Sequence, residues 1–71
     1  MKLPFDCIIY DKEPVMVRNP FSGDECLLTP EAVTVYDVIK GAEMLGDYTT
    51  VRKGLNWFAQ HFPKEYMVLL D

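Results

Sequence analysis

Residues 28–62 constrain the fold of this chain more than any other stretch, because they read as two amphipathic helices joined at a glycine. The first opens on Leu28-Thr29-Pro30-Glu31. The Thr29 hydroxyl can cap the free N–H groups of a first turn. Pro30 suits the first helical position, where its missing N–H costs nothing, and Glu31 favours the positive end of the dipole. Ala32, Val35, Ile39 and Ala42 then recur at helical spacing, with Val38 and Leu45 widening the stripe. Gly46 is a natural left-handed stop. Asp47 can cap the second helix, whose face is drawn by Tyr48, Val51, Leu55, Phe58 and Phe62. Pro63 ends it by disfavouring helical geometry in the residue before it. So short a link forces the two helices antiparallel or sharply crossed. Gly41 and Gly54 fall inside them, which reads either as close helix–helix approach or as simple tolerance.

The flanks read as packing for this pair. Residues 5–10 are rich in strand formers, with Leu3, Phe5, Cys7 and Ile9 on one face. Asp11-Lys12-Glu13-Pro14 is a charged turn, and Val15-Met16-Val17-Arg18 returns as a second strand. Asn19-Pro20-Phe21-Ser22-Gly23-Asp24 is a strong turn signal, with proline presetting one position and Gly23 supplying positive φ. Glu25-Cys26-Leu27-Leu28 completes a meander running into the first helix. After Pro63, the apolar run through Leu70 is assigned to a short helix, which must dock to avoid leaving a sticky patch. The expected fold is therefore α+β: a small antiparallel hairpin or meander over residues 1–28, helices over 29–46 and 47–62, and a short C-terminal helix over 63–71, all in one domain.

At 71 residues, with 49% hydrophobic and 13% aromatic composition, the chain can build one marginal core, and the composition argues against disorder. The net charge of −4, with no basic run, argues against nucleic acid as a partner. The charges are unevenly placed. The first helix carries Glu31, Asp37 and Glu43 against Lys40; the second carries Arg52, Lys53 and His61, with Lys64 just beyond. Helices complementing each other across their edges is one reading, and a weak basic face for an acidic partner is the other. No run approaches the roughly 20 apolar residues of a membrane span, and the opening residues lack the core of a signal peptide. The expectation is a cytoplasmic protein with Cys7 and Cys26 as free thiols.

Chemistry-bearing motifs are sparse. A zinc site needs about four ligands, usually paired in sequence, and Cys7, Cys26 and His61 stand isolated. A cysteine nucleophile would need His61 in reach without any local signature. The eleven carboxylates are scattered, and Gly41, Gly46 and Gly54 make no phosphate loop. Neither an enzyme nor a cofactor or metal site is expected. Trp57 stands out, since at 100° per residue it points well away from the stripe of the second helix, near Lys53 and His61. Either the tail or the sheet folds over it, or it is an exposed anchor for a partner. Val33 and Met44 fall opposite the stripe of the first helix and form a second candidate surface, including one for a homo-oligomer.

The segments Asn19-Pro20-Phe21-Ser22-Gly23, Leu28-Thr29-Pro30-Glu31-Ala32-Val33 with Tyr36-Asp37, Lys53-Gly54-Leu55-Asn56-Trp57-Phe58 and the ending from Pro63 to Asp71 together resemble small proteins of tailed bacteriophages, among them phages of cyanobacterial hosts. The resemblance implies a short, single-domain product of a compact genome, acting in the host cytoplasm. The expected function is a non-enzymatic protein-binding module that modulates a host protein, through Trp57, His61, Lys53, Val33 and Met44. The alternative is a self-assembling virion or scaffold component.

Overall fold

A computed structural model describes residues 2–70. In chain order the elements are β1 (Val15–Arg18), β2 (Glu25–Leu28), α1 (Pro30–Leu45), α2 (Tyr48–His61) and α3 (Pro63–Leu69). The fold is α+β, with a two-stranded antiparallel sheet, two longer helices packed together and a short helix at the end.

The helix boundaries follow the capping chemistry. Thr29 sits in extended geometry, and its Oγ1 accepts from the Ala32 N–H at 3.2 Å. Gly46 takes φ 74° and closes α1 in a Schellman arrangement. Its N–H donates to the Glu43 carbonyl at 3.2 Å, and the Asp47 N–H donates to that of Ala42 at 2.9 Å. The same Asp47 opens α2. Its carboxylate accepts from the Thr50 N–H at 3.3 Å and the Thr50 hydroxyl at 2.6 Å. One residue thus ends one helix and starts the next. These bonds to Thr50, side chain first and backbone second, hold the Asp47 carboxyl below its ordinary range.

The hairpin pairs Val15 with Leu28, Met16 with Leu27, Val17 with Cys26 and Arg18 with Glu25. Its period-two faces are distinct. Val15, Val17, Cys26 and Leu28 turn toward the core, while Met16, Leu27, Arg18 and Glu25 are exposed. The anticipated third strand over residues 5–10 does not form. Leu3, Phe5 and Cys7 are half-buried as the alternation predicts, but Ile9 of the same face is exposed and the segment carries no ladder; Phe5 lies against α2 at Gly54, and the residues after it border α1.

The core gathers Phe58, Leu28, Ile39 and Val35, all fully buried, with Ala32, Ala42, Val51 and Leu69. Complete burial of each large side chain contributes about 1.5–3 kcal/mol. At Gly54, α2 packs tightly on Ile39 of α1. A Cβ there would overlap the Ile39 Cγ1 and lie 2.9 Å from its Cδ1, while Gly41 faces open space. Close approach therefore explains Gly54 and tolerance explains Gly41. Two ends of the stripes miss the core, since Leu45 and Tyr48 flank the exposed corner between the helices. Leu69 is buried and Leu70 half-buried, so the terminal apolar run is docked.

Candidate binding grooves

Trp57 is not an exposed anchor. It is only 6% exposed, and its indole N–H donates to the Lys2 carbonyl at 2.8 Å. Its ring lies 5.6 Å from that of Phe62, 5.1 Å from that of His61 and edge-on to Phe58 at 6.1 Å. A single apolar stripe implies one covered face on α2. In fact α1 and α3 both pack on it, and the segment before residue 6 covers it as well. Of the two coverings foreseen for Trp57, neither the tail nor the sheet supplies its hydrogen bond; the leading segment does.

Val33 is corrected for the same reason. It is 5% exposed because α1 is flanked by the hairpin as well as by α2. Met44, at 88% exposed, does face solvent, as do Lys53 and His61. Among the described residues no side-chain ion pair joins α1 to α2. The one side-chain ion pair among the described residues is Lys40–Glu43 at 3.8 Å, within α1.

The structure assembles a different surface around Phe21, which sits at the tip of the turn between β1 and β2 and is 95% exposed. Asn19 pins this turn. Its Oδ1 accepts from the N–H groups of Phe21 at 2.9 Å and Ser22 at 3.4 Å, and its Nδ2 donates to the Val68 carbonyl at 2.8 Å. Asn19 N–H to Asp24 O at 2.7 Å and Gly23 N–H to Asn19 O at 2.8 Å close the loop, with Gly23 at φ 82°. Beside it runs a groove of about 510 Å³ lined by Leu55, Leu69 and Leu70 together with Phe21 and Tyr48, and by the charged pair Lys40 and Glu43. Tyr48 is 69% exposed. The turn signal at residues 19–24 speaks for backbone geometry alone and does not single out Phe21. The signal was a large aromatic placed where turn chemistry asks for none.

A second cleft, of about 440 Å³, separates the leading segment from α1. Ile8, Tyr10, Asp6 and Asp11 stand on one side, Asp37 and Val38 on the other. Partial burial and then the Asp11 charge hold the Asp37 carboxyl above its ordinary range. Cys7 also lines this cleft. Burial, with Asp6 adding to it, raises the Cys7 thiol pKa, and burial followed by Glu65 raises that of Cys26. Neither environment generates a thiolate at neutral pH. Both cysteines are free. Among the described residues no three His, Cys, Asp or Glu side chains cluster to hold a metal ion, and no helix is long and apolar enough to cross a membrane.

Compared with protein-family models, curated proteins and solved structures, the chain matches none.

Proposed function

We propose that this chain is a non-enzymatic protein-binding module. In the phage setting that its resemblance implies, it acts in the host cytoplasm as an accessory protein modulating a host protein. The observation that carries this reading is Phe21, an almost fully exposed aromatic at the edge of a groove that holds Leu55, Leu69 and Leu70, on a turn whose backbone Asn19 ties down. Aromatic anchors seated near a pocket dominate many interfaces. A turn ordered before binding also avoids the entropy that a flexible loop would lose on association.

The test is affinity capture from a host-cell lysate with tagged chain, followed by measured affinity for the protein retained. Phe21→Ala and Tyr48→Ala, both at exposed positions, are expected to keep the fold and to weaken binding at least about tenfold, the lower range of an interface anchor. A retained partner whose affinity neither substitution changes would refute the Phe21 groove as the binding surface.

Met44, Leu45 and Tyr48, exposed together around the α1–α2 corner, favour self-assembly as a second reading. It predicts concentration-dependent oligomers in sedimentation equilibrium that Met44→Lys abolishes.

A further inference from the structure

The cleft between the leading segment and α1 has a chemistry unlike that of the Phe21 groove. Its walls are apolar where Ile8, Tyr10 and Val38 face it, and Ile8 and Tyr10 are largely exposed. Asp6, Asp11 and Asp37 line the same space. Among the described residues none of these carboxylates has an ion-pair partner, because the single pair, Lys40–Glu43, lies elsewhere on α1. The net charge of −4 adds a long-range field of the same sign.

We propose that this cleft docks a basic amphipathic segment of another protein, one Arg or Lys side chain lying between Asp11 and Asp37 while a neighbouring apolar residue packs on Ile8, Tyr10 and Val38. Charge complementarity selects this occupant. A cation placed there relieves the repulsion between two carboxylates and gains attraction from both. An Arg guanidinium suits it best, since it can bridge carboxylates and stack on the Tyr10 ring. The apolar walls separate a peptide from a bare polyamine, which would leave Ile8 and Val38 uncovered. Nucleic acid and anionic lipid headgroups are repelled by the same three carboxylates. The proposal stands independently of the Phe21 groove.

The experiment titrates isotope-labelled chain with the probe acetyl-Leu-Arg-Leu-Arg-Leu-amide and follows backbone amide shifts. Shifts are expected at Ile8, Tyr10, Asp37 and Val38. The variant carrying Asp11→Asn and Asp37→Asn should bind at least about tenfold more weakly, and raising the salt should weaken binding by the parent. Phe21→Ala should change nothing, which keeps this test separate from that of the groove. The idea is overturned if the cleft amides do not move, if the same peptide with Glu for Arg moves them equally, if spermine binds as tightly, or if the double variant retains the parent affinity. Asp→Asn nearly preserves shape at exposed positions, and unchanged circular dichroism would show that weaker binding is not unfolding.

Discussion

Two glycines inside helices should respond to the same substitution with opposite sign. Gly→Ala in a helix interior gains about 1 kcal/mol of intrinsic propensity. At Gly41, which is exposed with nothing within 4 Å of an added Cβ, that gain should appear nearly undiminished. At Gly54 the added methyl meets the Ile39 Cγ1 and Cδ1 and comes within 3.5 Å of Phe5. Ile39 is fully buried, and Cγ1 lies too near its backbone to swing aside. Overpacking of this kind costs about 1–3 kcal/mol, and the inner position of the overlap argues for the upper part of that range. Net, Gly54→Ala should destabilise by about 1–2 kcal/mol, lowering Tm by about 5–15 °C for a domain of this size. Gly41→Ala should raise Tm by a few degrees. Urea unfolding followed by far-UV circular dichroism measures both. A double-mutant cycle with Ile39→Ala sharpens the test. That change alone costs about 2–5 kcal/mol, and combined with Gly54→Ala it should cost at least about 1 kcal/mol less than the sum. If Gly54→Ala stabilises as Gly41→Ala does, the close approach of the helices at this point is refuted.

Three further outcomes follow from the structure. Trp57→Ala should cost about 3–5 kcal/mol and leave a fraction unfolded at growth temperature, while Trp57→Phe should lose about 1 kcal/mol with its hydrogen bond; a parent-like melt for the Ala variant would contradict the burial. The two perturbed aspartates should act oppositely with pH. The lowered Asp47 pKa stabilises the fold above the unfolded value of about 3.9, and that contribution is lost as pH falls through the lower folded value, so Asp47→Ala should flatten the acid limb of the stability curve. The raised Asp37 pKa contributes below about 3.9 and is lost as pH rises through the folded value, so Asp37→Asn should stabilise at neutral pH with a gain that fades on acidification, both read from Tm against pH. Alkylation of Cys7 and Cys26 at neutral pH should be slower than that of an unfolded cysteine and should accelerate on denaturation.

What was legible in the sequence was local. Thr29, Pro30, Gly46, Asp47 and Pro63 speak through capping and backbone geometry, which depend on neighbours only a few positions away, and the helix ends came out where they predict. What was not legible is which faces a third element covers. Trp57 and Val33 point away from the stripes of their own helices, and periodicity cannot show that a segment some 55 residues distant in sequence supplies the hydrogen bond to the indole. Residues 5–10 have strand composition, yet strand formation needs a partner with free backbone groups in register, and this segment lies over helices. Phe21 was hidden differently. Its turn was recognised, but the tie from Asn19 to Val68 that orients it spans 49 positions and leaves no local pattern.

The bond between Trp57 and the Lys2 carbonyl also has a spectroscopic consequence. Trp57 is the chain's single tryptophan, so intrinsic emission reports one place rather than an average. That place is the seam between the leading segment and α2. Detachment of the segment alone would wet the indole and move its emission to longer wavelength while the helical signal at 222 nm stayed constant. Segments held by few buried contacts open at lower free energy than the global transition. Fluorescence and circular dichroism should then give two midpoints, with the emission change first. The interval between them is a direct reading of how tightly the leading segment is fastened, obtained without introducing any label.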